Sequence, residues 1–158
     1  MPTEVVFDIN IYVNAIVGAN SFYPLIEPVP PKSENPSADC LSLAFDGDHF
    51  ALFASPHILE NVARVLVQSF GVKTKTAEAY IELLLEIIAE SGGAVIEPAR
   101  KVFDVKDFED NLVLDLVVAS NALILVTADT DLTSLSPWNG RVLMRPQEFV
   151  NRQLQNLR

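Results

Sequence analysis

Short runs of strand-forming residues alternate with helix-like segments along this chain, and that alternation constrains the fold more than any other feature. Residues 4–7 (EVVF), 49–54 (HFALFA), 94–96 (AVI), 123–127 (LILVT) and 141–144 (RVLM) read as strands, apolar and rich in β-branched or aromatic side chains. Helical patterns fall between them at 9–18, about 37–45, 57–70, about 76–90 and 107–121, and a last helix opens at Pro146. Strands separated by helices predict a parallel sheet with helices on both faces, a three-layer α/β/α domain over residues 1–158. The punctuation agrees. Ser55-Pro56 supplies an N-cap and a first-turn proline, and Gly71 and Gly92-Gly93 stop the helices before them. Residues 19–36 carry Pro24, Pro28, Pro30, Pro31 and Pro36 and predict an irregular insert, a surface flap or interaction segment.

The chain has 158 residues, enough to bury a core in one domain. No apolar run reaches the roughly 20 residues that a membrane span needs, and MPTEVVFD lacks the features of a secretory signal. Cys40 is the single cysteine, which excludes an intramolecular disulfide and a multi-cysteine zinc site. A cytoplasmic protein with no membrane partner is expected. The net charge of −10, from 11 Lys and Arg against 21 Asp and Glu, leans against nucleic acid unless the acids gather in a metal pocket.

The acids are placed suggestively. In open parallel sheets, ligands bind beyond the carboxyl ends of the strands. Asp8 follows VVF directly, and Asp129 and Asp131 come just after LILVT. Glu60 and Asp110 fall near helix starts on what should be the same side of the sheet. Four carboxylates converging on one point repel, and a divalent cation is what makes such an arrangement tolerable. Each acid also has a plainer reading. Asp8 can cap the helix after it, and Glu60 can pair with Arg64 one turn on. Asp107 and Asp110 can share the capping of their helix, and Asp129 can form an Asx turn. Asp115 lies about 140° around the helix from Asp110 and is read as a surface residue, as are Asp104 and Glu109. His49 and His57 read as surface or helix-start residues, and Trp138 as a loop anchor. Asn10 and Thr127 are close enough in sequence to orient a carboxylate.

Four segments carry a resemblance: VVFDINIYVNAIV, SPHILENVARVL, VKDFEDNLVLDLVVASNALILVTADTDL and RVLMRPQEFV. Together they resemble the PIN domain family over almost the whole length, and more closely its VapC-type toxin branch. The resemblance implies a PIN-like fold and a metal-dependent endoribonuclease serving as toxin in a type II toxin–antitoxin pair. It implies Asp8, Glu60, Asp110 and Asp129 as the catalytic, metal-binding quartet, with Asp131 assisting as a ligand and Asn10 and Thr127 behind them. Mg²⁺ or Mn²⁺ is the implied cofactor, RNA the substrate, and a small antitoxin and a second copy of the chain the partners. The Pro-rich insert, Val117-Val118 and the net acidity depart from the family pattern.

Two readings compete. A catalytically silent PIN-like binding protein would use the Pro-rich loop and the apolar surface of TAEAYIELLLEIIAE. A haloacid-dehalogenase-like phosphatase would use Asp129 in DTDLT as nucleophile, but that motif needs a downstream Lys and further acids, and neither Lys nor Asp follows Thr133. A receiver-type signalling module fails similarly, since no Lys occurs beyond Lys106.

Overall fold

The structure, a computed structural model, describes residues 2–18 and 34–156. Most of the segment read as a Pro-rich insert therefore lies outside the described residues. The chain runs β1 (Thr3–Phe7), α1 (Ile9–Val17), α2 (Pro36–Asp46), β2 (Phe50–Phe53), α3 (Pro56–Phe70), α4 (Thr74–Glu90) and α5 (Phe108–Ala119). It continues through β3 (Ile124–Val126), α6 (Thr130–Thr133), β4 (Val142–Met144) and α7 (Pro146–Gln155). The four strands form one parallel sheet in the order β2-β1-β3-β4, flanked by helices.

Local chemistry explains the boundaries. The Ser55 side chain accepts the Ile58 N–H and Pro56 opens α3, while Gly71 closes it at φ 66°, a left-handed conformation that suits glycine. Asn35 caps α2 by accepting from Ala38, and Pro36 is the first helical residue. Pro36 was expected to belong to the irregular insert. At the first position of a helix its missing N–H costs nothing, so it starts the helix rather than preventing one.

One further expectation changes. Residues 94–96 make no strand and contribute one bridge, Ala54 to Val95. Gly93 brings this segment in: a Cβ there would stand 1.7 Å from the Leu52 carbonyl oxygen, so only glycine permits the approach. The Asx turn open to Asp129 forms: its side chain accepts the Asp131 N–H and caps TDLT, a single helical turn, α6.

The core lies beneath the sheet's middle strands. Phe7 of β1 meets the rings of Tyr12, Phe50 and Phe149, with centroids 5.8–5.9 Å away, and Phe50 and Phe149 meet edge-on at 4.9 Å. All four residues are at most 1% exposed. Helices α1, α2, α3, α4 and α7 pack against one another, and α5 packs on β1. Much of the apolar surplus noted in α4 is taken up inside: Ala77, Leu84, Ile87 and Ile88 are buried, and Leu85 is its one large apolar residue counted as exposed. No helix among the described residues is long and apolar enough to cross a membrane.

Candidate metal centre

The sheet order fixes where a site belongs. The chain leaves β1 toward β2 on one side and later returns as β3 on the other, so β1 and β3 flank the topological switch point. Their register pairs Phe7 with Val126, so both strands end level. Asp8 is the next residue after β1, and its N–H donates to the Val126 carbonyl at 2.9 Å. This backbone bond places the Asp8 carboxylate beside Thr127.

Asp8 is 6% exposed and held by three donors. Thr127 Oγ1 donates to its Oδ2 at 2.7 Å, Asn10 Nδ2 donates to the same oxygen at 3.2 Å, and the Ile9 N–H donates to Oδ1 at 2.8 Å. Thr127 Oγ1 also accepts from the Asp129 N–H at 3.0 Å, and Asn10 Oδ1 accepts from the Ala128 N–H at 3.1 Å. Thr127 and Asn10 thus tie the end of β1 to the turn after β3 and orient both acids. Asp129 in turn caps α6 through the Asp131 N–H.

Asp8, Asp110 and Asp129 line one cavity of about 300 Å³ with Asn10, Asn14, Ile9, Val13 and Val65. Among the described residues the lining holds three carboxylates and no Lys, Arg or His. Burial raises the Asp8 carboxyl above its ordinary value, and the charge of Asp129 adds to this against the three hydrogen bonds. Burial, then the charges of Asp129, Asp107, Asp8 and Asp131, push Asp110 up to about 7. The acids therefore sense one another, with no cation among the described residues lining the cavity to balance them.

Among the described residues, no three acid, histidine or cysteine side chains form a group able to hold an ion between them. The donors therefore do not make a closed cage. They fit a hard, largely hydrated divalent ion, which needs only one or two carboxylates and keeps several waters. Soft or imidazole-seeking metals find no suitable donors in this lining.

The remaining sequence candidates fall differently. Asp131 is exposed and lines an adjoining cavity of about 310 Å³ with Val105, Lys106, Asp107 and Asp110. Asp110 belongs to both cavities. Glu60 is exposed and lines neither. Helix α3 turns the stripe His57, Asn61 and Val65 toward the site, residues spaced by four and so on one face. Val65 lines the cavity, and His57 Nε2 lies 2.7 Å from Oε2 of Glu109, the neighbour of Asp110. Asn61 Nδ2 donates to the His57 carbonyl at 2.7 Å, and Arg64 donates to Asn61 Oδ1. The pairing expected between Glu60 and Arg64 is thus replaced by one with Asn61.

Asp115 is not a surface residue. It is 1% exposed, its Oδ1 accepts the N–H groups of Lys101 and Val102 at 2.8 and 2.7 Å, and its Oδ2 pairs with Arg100. His49 sits 2.8 Å from Asp46 with its side chain enclosed. Trp138 is an anchor, 8% exposed, with its indole N–H donating to Asp104 at 3.1 Å. Sequence reasoning missed Asn14 in the cavity lining. Its place one turn after Asn10 on an otherwise apolar helix is the signal that points to it.

A family model described as PIN domain matches residues 4–131. No curated protein matches the chain. The matched span begins in β1, takes in Asp8 and the whole of α3 and α5, and ends at the second acid of the turn after β3. On that match, which covers most of its length, the chain belongs to the PIN domain family.

Proposed function

We propose that this chain is a Mg²⁺- or Mn²⁺-dependent endoribonuclease of the toxin type. PIN domains are generally nucleases that use divalent metals, and this much follows from the family. The observation that carries the finer reading is the convergence of Asp8, Asp110 and Asp129 on one cavity with no balancing cation among the described residues of its lining. Like charges kept together at a cost of desolvation mark a site whose ligand supplies the missing charge.

Asp8, Asp110 and Asp129 would hold the ion, with Asp131 beside them. Glu60, on the outer side of α3, stands outside this set. When bound, a hard divalent ion supplies Lewis-acid chemistry, acidifying water and offsetting charge on phosphoryl oxygens. The chain's own part is positioning. Thr127 and Asn10 fix the Asp8 carboxylate, so its free lone pairs point the same way in every molecule. Val13 and Val65 give the cavity an apolar wall that thins the water around the acids. Asp110, raised to about 7, carries a proton in a large fraction of molecules at neutral pH and gives it up as a cation arrives.

RNA rather than DNA, a small antitoxin and a homodimer belong to the same proposal and rest on the resemblance to VapC-type toxins. The purified protein is expected to cut a labelled mixed-sequence RNA with Mn²⁺ or Mg²⁺ and to stop in EDTA. Asp8→Asn is expected to lower the rate by about a hundredfold or more, as loss of a group acting directly on the reaction does. Undiminished cutting by Asp8→Asn, or no metal-dependent cutting by folded wild-type protein, would overturn the reading.

A further inference from the structure

The two most exposed large apolar residues of the described chain are Phe103, 72% exposed, and Phe108, 60% exposed. Both are aromatic, and one guanidinium joins them: Arg100 Cζ lies 4.8 Å from the Phe103 ring centroid and 5.1 Å from that of Phe108. Exposed rings on a floppy loop would mean little. This loop is pinned. Asp115 holds the Lys101 and Val102 N–H groups and Arg100 itself. Asn111 Oδ1 accepts the Val105 N–H at 3.1 Å and its Nδ2 donates to the Val105 carbonyl at 2.8 Å. Trp138 ties down Asp104. Two large rings are thus fixed against water on a rigid support, with neither folded into the core.

The position of the rings says what they meet. Lys106 and Asp107, which lie between them in sequence, line the cavity that shares Asp110 with the acid site. The segment 100–106 also holds three of the chain's 11 Lys and Arg residues, Arg100, Lys101 and Lys106. Its acids are engaged: Asp104 with Trp138, Asp107 as the cap of α5, and the neighbouring Glu109 with His57. Arg100 is balanced by Asp115, so the cations open to an anion are the exposed Lys101 and Lys106.

Fixed aromatic faces beside free lysines are the elements by which proteins hold single-stranded nucleic acid. Bases stack on the rings and phosphates meet the cations, whatever the sequence. We propose that Phe103 and Phe108, braced by Arg100, form a base-stacking platform for single-stranded RNA, with Lys101 and Lys106 taking its phosphates. The platform supplies the cationic, aromatic element that the acidic composition lacks, and the segment that carries it lines the cavity adjoining the acid site. It rests on the nuclease reading for the identity of that strand.

The test is fluorescence anisotropy on the full chain carrying Asp8→Asn, so that nothing is cut. The probes are a labelled mixed-sequence single-stranded RNA of about 12 nucleotides and an abasic strand of equal length. Phe103→Ala and Phe108→Ala are each expected to raise Kd for the RNA about tenfold, while Phe103→Trp keeps it. The abasic strand is expected to bind weakly and to be indifferent to all three changes. No RNA binding at all, an unchanged Kd in both alanine variants, or an equal loss on the abasic strand would each overturn the platform. So would a dimer that falls apart in Phe103→Ala with RNA binding intact, which would assign the rings to self-association. Cleavage by the wild-type chain is scored separately, so a failed nuclease with ring-dependent binding, or the reverse, is recognised for what it is.

Discussion

Asp8 and Asp115 are both buried carboxylates, and they solve burial in opposite ways. Asp115, on α5, has its own cation in Arg100 and two backbone N–H groups; every strong demand of its charge is met within the chain. Asp8, after β1, has three hydrogen bonds but no cation among the described residues, and it faces Asp110 and Asp129 across a cavity. A buried acid that brings its counter-ion is architecture. A buried acid without one, kept among other acids, is prepared for a charge that arrives from outside.

The comparison can be broken most forcefully at Asp115. Asp115→Ala strands two backbone N–H groups and the part-buried guanidinium, and an expected loss of about 3 kcal/mol should appear in denaturant unfolding. It should also loosen the loop carrying Phe103. Asp8→Asn is expected to leave stability unchanged or slightly higher, because it removes a charge the fold does not balance. A comparable loss in both variants would erase the distinction.

Metal sharpens the contrast next. Mn²⁺ at about a hundred times its Kd should stabilise the wild-type chain by about 2.7 kcal/mol, read as a rise in Tm, and EDTA should reverse it. The rise should vanish in Asp8→Asn. An equal rise in that variant would locate the ion elsewhere.

A smaller effect concerns pH. The Asp110 carboxyl stands at about 7 in the fold against an ordinary 3.8. The folded chain therefore holds this proton more tightly than the unfolded chain, and ionising the group costs stability. That cost sets in as pH rises above 3.8 and is complete once pH passes about 7. Buried Asp8 acts in the same direction. Tm measured without metal should fall across this window, less steeply in Asp110→Asn, and added Mn²⁺ should offset the fall at its upper end. A Tm that climbs through the window would contradict the placement of these acids.

The smallest effect tests the principle away from the site. The Tyr12 hydroxyl is buried with no partner among the described residues, and burial raises it above its ordinary value. Tyr12→Phe should be neutral or stabilising by up to about 1 kcal/mol in denaturant unfolding, and a clear loss would reveal a partner.

Much of this was legible in the sequence because its signals are local. The caps at Asp8, Ser55 and Asp107, the proline of α3 and the glycine that ends it could all be read within a few residues. So could Asp8 and Asp129, since each follows its strand closely and the parallel sheet sets both at one edge. Asp115 was misread because a helical wheel gives only direction. Pointing away from Asp110 does not mean pointing into water, and the loop that covers it begins 15 residues earlier at Arg100. Glu60 and Asn61 differ by about 100° around α3, and the phase of one amphipathic helix does not choose between neighbours without knowing what packs beside them. Residues 94–96 looked like a strand by composition, but whether such a run pairs depends on Gly93 lying against Leu52, a contact made across 41 positions of chain.

The hydroxyl of Thr127 meets the carboxylate of Asp8 across 119 positions. During synthesis, β1 and β2 emerge and can pair long before β3 exists, so Asp8 spends most of that time without its partner hydroxyl and without Asp129. The acid site comes into being only when β3 settles beside β1. A fragment that stops short of β3 can pair β1 with β2 and still lack the acid cluster, so the order of the strands ties the site to completion of the sheet's centre.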